Sequence, residues 1–396
     1  MSRTVTLEAA PATTLSVEKK TPTIRQIRNA IPEHCFKPTA WKSSAHAIFD
    51  CSVAALIAFA AYKTIPLVEY WPARWALWAL YGYIEGLVFT GIWIVAHECG
   101  HGGLYTSNWA NDIVGYTLHT SLLVPYFPWK YTHARHHRYT GHMEKDTAFV
   151  PHRAGEKSIG SKIAEVIGHA EDAPLYMFGG LVMHQLLGWQ AYLLFYVSAG
   201  ARSTPKALEG SSWAGSHFDP MANLWTPSQR PFVFLSTVGL GAVMFALYQL
   251  SGVIGVANTF LLYGLPYLWV NNWLVAITYL HHTHPDSHHY EASRWTFLDG
   301  ALTTVDRPFG FIGRKVFHGI IDFHVVHHLF PSMPFYHAEE ATKAMRPVLG
   351  DYYRRDDTPF WIALWKTFSS CQAVQPKEGE EGVLEWETKK THVKSS

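Results

Sequence analysis

Apolar runs about as long as a bilayer is thick divide the chain. The first covers residues 45–65 and the second residues 75–96. The second has 22 residues, about 33 Å of helix against a hydrocarbon core of about 30 Å. A third run covers residues 231–250 and a fourth residues 253–280. The fourth, about 42 Å long as a helix, is long enough to carry His281, His282 and His284 out of the lipid. Short links join the first run to the second and the third to the fourth, so the pattern predicts four transmembrane helices in two hairpins. Two other apolar stretches read differently. Residues 113–129 are interrupted by His119, Pro125 and Pro128, which fits a re-entrant or interfacial segment. Residues 177–199 carry His184, Gln185 and Gln190, which fits a helix at the interface or buried in protein.

Polar segments flank this core. Residues 23–32 predict a short amphipathic helix that stops at Pro32. The rest of the first 30 residues and the last 25 or so read as disordered. The domain division is a tail over 1–44, one domain over 45–365 and a tail over 366–396. The fold class is an all-α integral membrane protein with a helical cap. Seven Lys/Arg precede the first run, whereas the two links hold only Lys63 and Arg74. The positive-inside rule therefore places both termini in the cytosol. Asp50 is expected near the interface, and Glu85, inside the second run, is expected to pair with a neighbouring helix.

Composition agrees with a membrane protein. Charged residues are 16% of the chain and hydrophobic residues 48%, against about 25% charged in a typical soluble domain. A net charge of +1 carries no nucleic-acid footprint. Four scattered cysteines, without a C-x-x-C pair, fit thiols facing a reducing cytosol.

The candidate chemistry sits at the ends of the apolar runs. The second run passes directly into His97-Glu98-Cys99-Gly100-His101, which puts two imidazoles on one helix face. His133-x-x-His136-His137 and His324-x-x-His327-His328 each place three more on one face. Neutral imidazole is a ligand for iron, zinc, copper and nickel. Eight such ligands exceed what one metal uses, so two metals are the economical reading. Iron suits a site open to oxygen chemistry, while spacing alone leaves zinc and copper open. Asp146, Asp299, Asp306 and Asp322 lie near the boxes in sequence and are candidates to orient the imidazoles. His119, His184, His217 and His318 read as surface or supporting groups.

Two rival classes compete. His97-Glu98-x-x-His101 also fits the zinc-protease signature H-E-x-x-H, with Glu98 as base and Leu298-Asp299-Gly300 as a later ligand motif. That intramembrane zinc metalloprotease leaves six box histidines without a task. A haem or metal transporter needs histidines facing each other inside the bundle, not at its ends.

The three boxes together resemble those of membrane fatty-acyl desaturases. The resemblance runs from about residue 25 to 365 and includes VPYFPWKYTHARHHRYTGHMEKD (124–146), WLVAITYLHHTHPD (273–286), GALTTVDRPFG (300–310) and HVVHHLFPSMPFYHAEEATKAMRPVLGDYY (324–353). It is similar to the methyl-end acyl-lipid branch, which acts at the Δ12 and Δ15 (ω3) positions, and HECGHGG (97–103) and RHHRYTGHM (135–143) look more like the fungal ω3 type, some of which also act at Δ12. The resemblance implies removal of two hydrogens from adjacent methylenes of an 18-carbon chain on a membrane phospholipid, using O2 and two iron ions. It implies electrons from NADH through cytochrome b5 reductase and cytochrome b5, in the endoplasmic reticulum membrane with the boxes cytosolic. A fatty acid hydroxylase with the same boxes is the alternative. The metal ligands carried over are His97, His101, His133, His136, His137, His324, His327 and His328, with a ninth after the fourth run. His282 is the choice for it, with His281 and His284 as competitors. Thr278 stands where some desaturases have an asparagine. Without a His-Pro-Gly-Gly haem motif, the cytochrome must be a separate chain, and Lys130, Arg135, Arg138, Lys145, Arg307, Arg314 and Lys315 are candidates to dock it or lipid headgroups. An apolar tunnel from the membrane to the metals is expected.

Overall fold

A computed structural model describes residues 21–156, 174–205 and 215–387. Most of the polar N-terminal stretch, part of the loop expected at 201–230 and the final nine residues lie outside these. The described chain is mostly helical, and four of its helices are long and apolar enough to cross a membrane. They are α2 (Ala40–Thr64, continued by a short turn to Leu67), α3 (Trp71–Gly100), α7 (Arg230–Ile254) and α8 (Val256–His282).

Helix α3 is the axis of the fold. It packs on α2, on α4 (Asn108–Ser121), on α5 (Tyr126–Tyr139) and most extensively on α8. The close approach to α8 depends on glycine. A Cβ on Gly86 would sit 2.4 Å from the Cβ of Trp269 and 3.1 Å from the Pro266 carbonyl oxygen. Above this contact, Val95, Ala96 and Cys99 share one buried cluster with Trp273, Ala276 and Leu280.

Proline shapes α8. Pro266 has no N–H to give the Leu262 carbonyl, and the helix widens into a π turn over Phe260–Gly264. The Tyr81 hydroxyl of α3 donates to that carbonyl at 2.8 Å, so the break is satisfied by the partner helix. Gly255, at φ 88°, ends α7 and starts α8.

The interrupted run at 113–129 forms no single helix. Helix α4 ends at Ser121, a turn with Leu123 at φ 55° follows, and Pro125 starts α5. Helix α6 (Pro174–Phe195) lies against α8 and against α12 (Phe360–Ser370), and is not among the four membrane-length candidates.

The remaining helices are short. Helix α1 (Ile24–Ala30) begins with a capping box: the Gln26 N–H donates to the Thr23 hydroxyl at 3.3 Å, and the Thr23 N–H donates to Gln26 Oε1 at 2.8 Å. It ends before Pro32, as expected. Ile27 and Ile31 are buried against Val325 and Val326 of α10 (His324–Leu329) and Met345 and Leu349 of α11 (Ala338–Leu349). Helix α9 (Phe297–Ala301) completes this layer.

Three expectations are corrected here. The fold is not purely helical, and the chain near its C-terminus is not structureless. Strands β1 (His152–Arg153), β2 (His289–Tyr290), β3 (Ala373–Pro376) and β4 (Val383–Trp386) form one sheet in the order β1-β3-β4-β2. β1 and β3 run parallel and the other two pairs antiparallel. Val374, Leu384 and Trp386 bury one face of the sheet with Met143. Glu85 is fully buried, yet neither of its oxygens has a hydrogen-bond partner, so the expected pairing is not made. Asp50 is buried and does have a partner, His318 Nε2 at 2.7 Å.

Candidate metal centre

Four elements converge on one region. The last turn of α3 supplies His97 and its C-cap is His101, α5 supplies His133, His136 and His137, the last residue of α8 is His282, and α10 supplies His324, His327 and His328. The nine imidazoles sort into two groups. The ligand nitrogens of His97, His101, His133, His137 and His327 all lie within 4.8 Å of one another, as do those of His136, His282 and His328. His324 Nε2 joins the second group, 3.3 Å from His282 Nε2. The groups adjoin where His137 stacks on His328, with ring centroids 4.0 Å apart.

The outer nitrogen of several rings is held by a hydrogen-bond acceptor. His97 Nδ1 is 2.9 Å from Glu98 Oε1, and the same oxygen lies 3.5 Å from His327 Nδ1. His136 Nδ1 is 2.7 Å from Asp146 Oδ1. His324 Nδ1 faces the Ile320 carbonyl oxygen at 3.1 Å. His328 Nδ1 is 3.1 Å from the Thr140 hydroxyl, whose proton goes to the His136 carbonyl at 2.7 Å. These acceptors place the ring protons on Nδ1 and turn the Nε2 lone pairs inward.

Ring nitrogens this close together need either a proton or a cation between them. Nε2 of His133 is 2.8 Å from that of His97 and 3.1 Å from that of His137, and Nε2 of His136 is 3.2 Å from that of His282. A metal–imidazole bond of about 2.1 Å places neighbouring donors about 3.0–3.4 Å apart, for right-angle to tetrahedral geometry. The donor set therefore fits metal ions. Burial, and then repulsion from neighbouring imidazoles, pushes His101 down to about 3 and holds His133, His137, His327 and His328 well below the ordinary histidine range. The rings are neutral at pH 7, the form that binds metal. Trp129 stacks on His133 at 4.4 Å, and Trp93 on His97 at 5.4 Å, walling the first group from the apolar core.

The three candidates for the ninth position separate. His281 Nδ1 faces the Val305 carbonyl oxygen, and its Nε2 has no hydrogen-bond partner. His284 sits beside Asp286 and Asp356, at 3.7 and 3.9 Å. His282 is the one whose Nε2 meets the boxes.

The four candidate aspartates separate too. Asp146 takes His136 and also accepts from the Ala148 and Gly141 N–H groups at 2.9 and 3.1 Å. Asp306 accepts from the Val325 N–H at 2.7 Å and the Tyr353 hydroxyl at 2.6 Å, so it holds the start of α10 and not a ring; burial raises it to about 7. Asp299 pairs with Arg294 at 2.8 Å and Thr296 at 2.7 Å. Asp322 lies 3.9 Å from Arg314, and its other oxygen has no hydrogen-bond partner. Neither of these last two reaches an imidazole. Sequence reasoning missed Glu98 as the carboxyl joining boxes one and three; its place beside His97 was the available signal.

The protease reading fails on this geometry. Glu98 is buried behind His97 and His327, Asp299 is engaged elsewhere, and boxes two and three complete the donor groups. Basic residues near the boxes also divide. Lys130 pairs with Asp112, Arg135 donates to the Ser203 and Leu224 carbonyls, and Arg307 is buried against Asp356. Arg138, Arg314 and Lys315 are exposed.

An apolar pocket of about 510 Å³ lies between α6, α8 and α12, lined chiefly by Phe178, Leu181, Leu186, Trp361 and Trp365. Asn272 on its wall precedes His282 by ten residues, about 15 Å along α8.

Comparison with known proteins agrees with the geometry. Residues 71–360 match the fatty acid desaturase family model. The chain is 41% identical over 361 residues to the Δ12-acyl-lipid desaturase of Punica granatum, covering 90% of this chain and 88% of that one. It is also 41% identical over 386 residues to the endoplasmic reticulum ω-6 fatty acid desaturase of Brassica juncea, covering 97% and 95%. It is 40% identical over 375 residues to the oleate hydroxylase of Claviceps purpurea, covering 91% and 78%. The chain belongs to the fatty acid desaturase family and is an O2-dependent oxidoreductase acting on a lipid acyl chain.

Proposed function

We propose that the protein inserts a cis double bond at the Δ12 position of an 18-carbon acyl chain esterified to phospholipid, using two irons held by the nine histidines. The observation that carries this is the pair of adjacent donor groups with Nε2 lone pairs turned inward. The position follows the names of the Punica and Brassica relatives. Iron bound there supplies, with O2 and electrons, an oxidant able to take hydrogens from an unactivated C–H bond. The protein's own residues do the rest. Glu98, Asp146, Thr140 and the Ile320 carbonyl fix the rings, and Trp93 and Trp129 keep the first group dry. The apolar pocket beside α6, α8 and α12 is the entry for the acyl chain, with a passage along α8 toward His282.

The desaturase unit is residues 45–365, with α2–α3 and α7–α8 as two membrane hairpins. The boxes and both termini face the cytosol from the endoplasmic reticulum membrane. Cytochrome b5, reduced by its NADH-dependent reductase, delivers electrons at the cytosolic surface, where Arg138, Arg314 and Lys315 are exposed.

The test is expression in a yeast that makes oleate but no polyunsaturated fatty acids, with analysis of total lipid. A new 18:2 acid with double bonds at Δ9 and Δ12 is the expected product. A double bond at another position overturns the regiospecificity, and a 12-hydroxy acid as the main product makes the protein a hydroxylase.

A further inference from the structure

Outside the boxes, a mixed donor cluster joins the N-terminal segment to α11. Pro32 starts a short 3-10 turn, Glu33–Phe36, that carries His34 and Cys35. His337 is the N-cap of α11, and Glu340 follows three residues later on the same face. Packing of α1 on α11 brings the two pairs together, although His34 and Glu340 are 306 positions apart.

We propose that His34, Cys35, His337 and Glu340 form a zinc site that clamps the N-terminal segment onto α11. The four donor atoms all lie within 4.8 Å of one another. His34 Nε2 is 3.0 Å from Glu340 Oε2 and 3.7 Å from Cys35 Sγ, and the His34 and His337 rings meet edge-on at 5.4 Å. Zinc bonds of about 2.0–2.3 Å place tetrahedral donors about 3.3–3.8 Å apart, so a contraction of about 1 Å closes the site. The set of one thiolate, two imidazoles and one carboxylate suits a borderline-soft ion such as zinc.

Cys35 is the second observation. It is 0% exposed within the apolar cluster of α1, α10 and α11, and its sulfur is aimed at the His34–Glu340 pair. Binding releases one proton as the S–Zn bond forms. An exposed His–Glu pair alone contributes little; a bound ion makes the contact a cross-link.

The test is cobalt titration of the purified full-length protein, read by the thiolate-to-cobalt charge-transfer band that histidine sites lack. One equivalent is expected to give the band, zinc to bleach it, Cys51→Ser to retain it and Cys35→Ser to abolish it with iron content unchanged. Should Cys35→Ser fail to fold, His337→Ala keeps the thiol and is expected to weaken cobalt binding at least tenfold. No band in the wild type, a band that survives Cys35→Ser, or unchanged affinity in His337→Ala overturns the proposal.

Discussion

Replacing Asp146 with asparagine separates a carboxylate that orients a ligand from those that only lie near one in sequence. Asp146 is 2% exposed. One oxygen takes the His136 ring and the Ala148 N–H, and the other takes the Gly141 N–H. Asparagine keeps the shape but offers a single acceptor oxygen. Either its NH2 faces the Gly141 N–H, donor against donor, or it faces His136 Nδ1 and reverses the tautomer. In the second case the ring proton moves to Nε2, the position needed for metal. Losing a charge-assisted hydrogen bond at a buried site costs about 1.5–3 kcal/mol, and removing such an orienting partner lowers metal affinity or activity about 10–100-fold. The assay is iron per chain and product formation in the yeast host at matched expression. Asp146→Asn should lose at least about nine-tenths of its activity, from the low end of that range, with iron falling below the wild-type value. Asp299→Asn, which breaks only the Arg294 and Thr296 contacts, should stay near wild type. Equal iron and activity in Asp146→Asn and wild type would refute the reasoning.

Two other perturbations test the scaffold. Gly86→Val places a side chain where the backbone of α8 already sits, and overpacking of this kind costs about 1–3 kcal/mol; the thermal midpoint in detergent should fall, whereas Gly241→Ala, with open space around its Cβ, should leave it unchanged. His217 is buried against Thr132 and the Leu193 carbonyl, and burial pushes it down to about 3. Its folded value is depressed, so its contribution is complete above the unfolded value of about 6.5 and is lost as pH falls toward 3, at about 1.4 kcal/mol per unit. Denaturation followed from pH 7 to pH 5 should therefore show a shallower acid limb in His217→Phe than in the wild type, and parallel limbs would contradict this.

The helices and boxes were legible because each is written locally. Membrane length, the H-x-x-x-H and H-x-x-H-H spacings and the proline break at 125 all act within one or two turns. What escaped depends on contacts made across the fold. Glu98 reads as a protease base until α10 brings His327 to it. Asp146 and Asp299 look alike in sequence, yet of the two only Asp146, in the turn after α5, reaches a box. Strands of two to four residues carry no period to detect, so the sheet formed by β1–β4 emerges only when the segments around His152, His289 and Leu384 meet. A carboxyl inside a membrane helix is costly and predicts a partner for Glu85; its two oxygens are buried without one.

Elemental analysis of the purified full-length protein bears most directly on the nine-histidine centre. Two irons per chain are expected in the wild type, close to one in His282→Ala, and two again in His284→Ala. Iron absent from the wild type, or unchanged in His282→Ala, would contradict a two-metal site built from these residues.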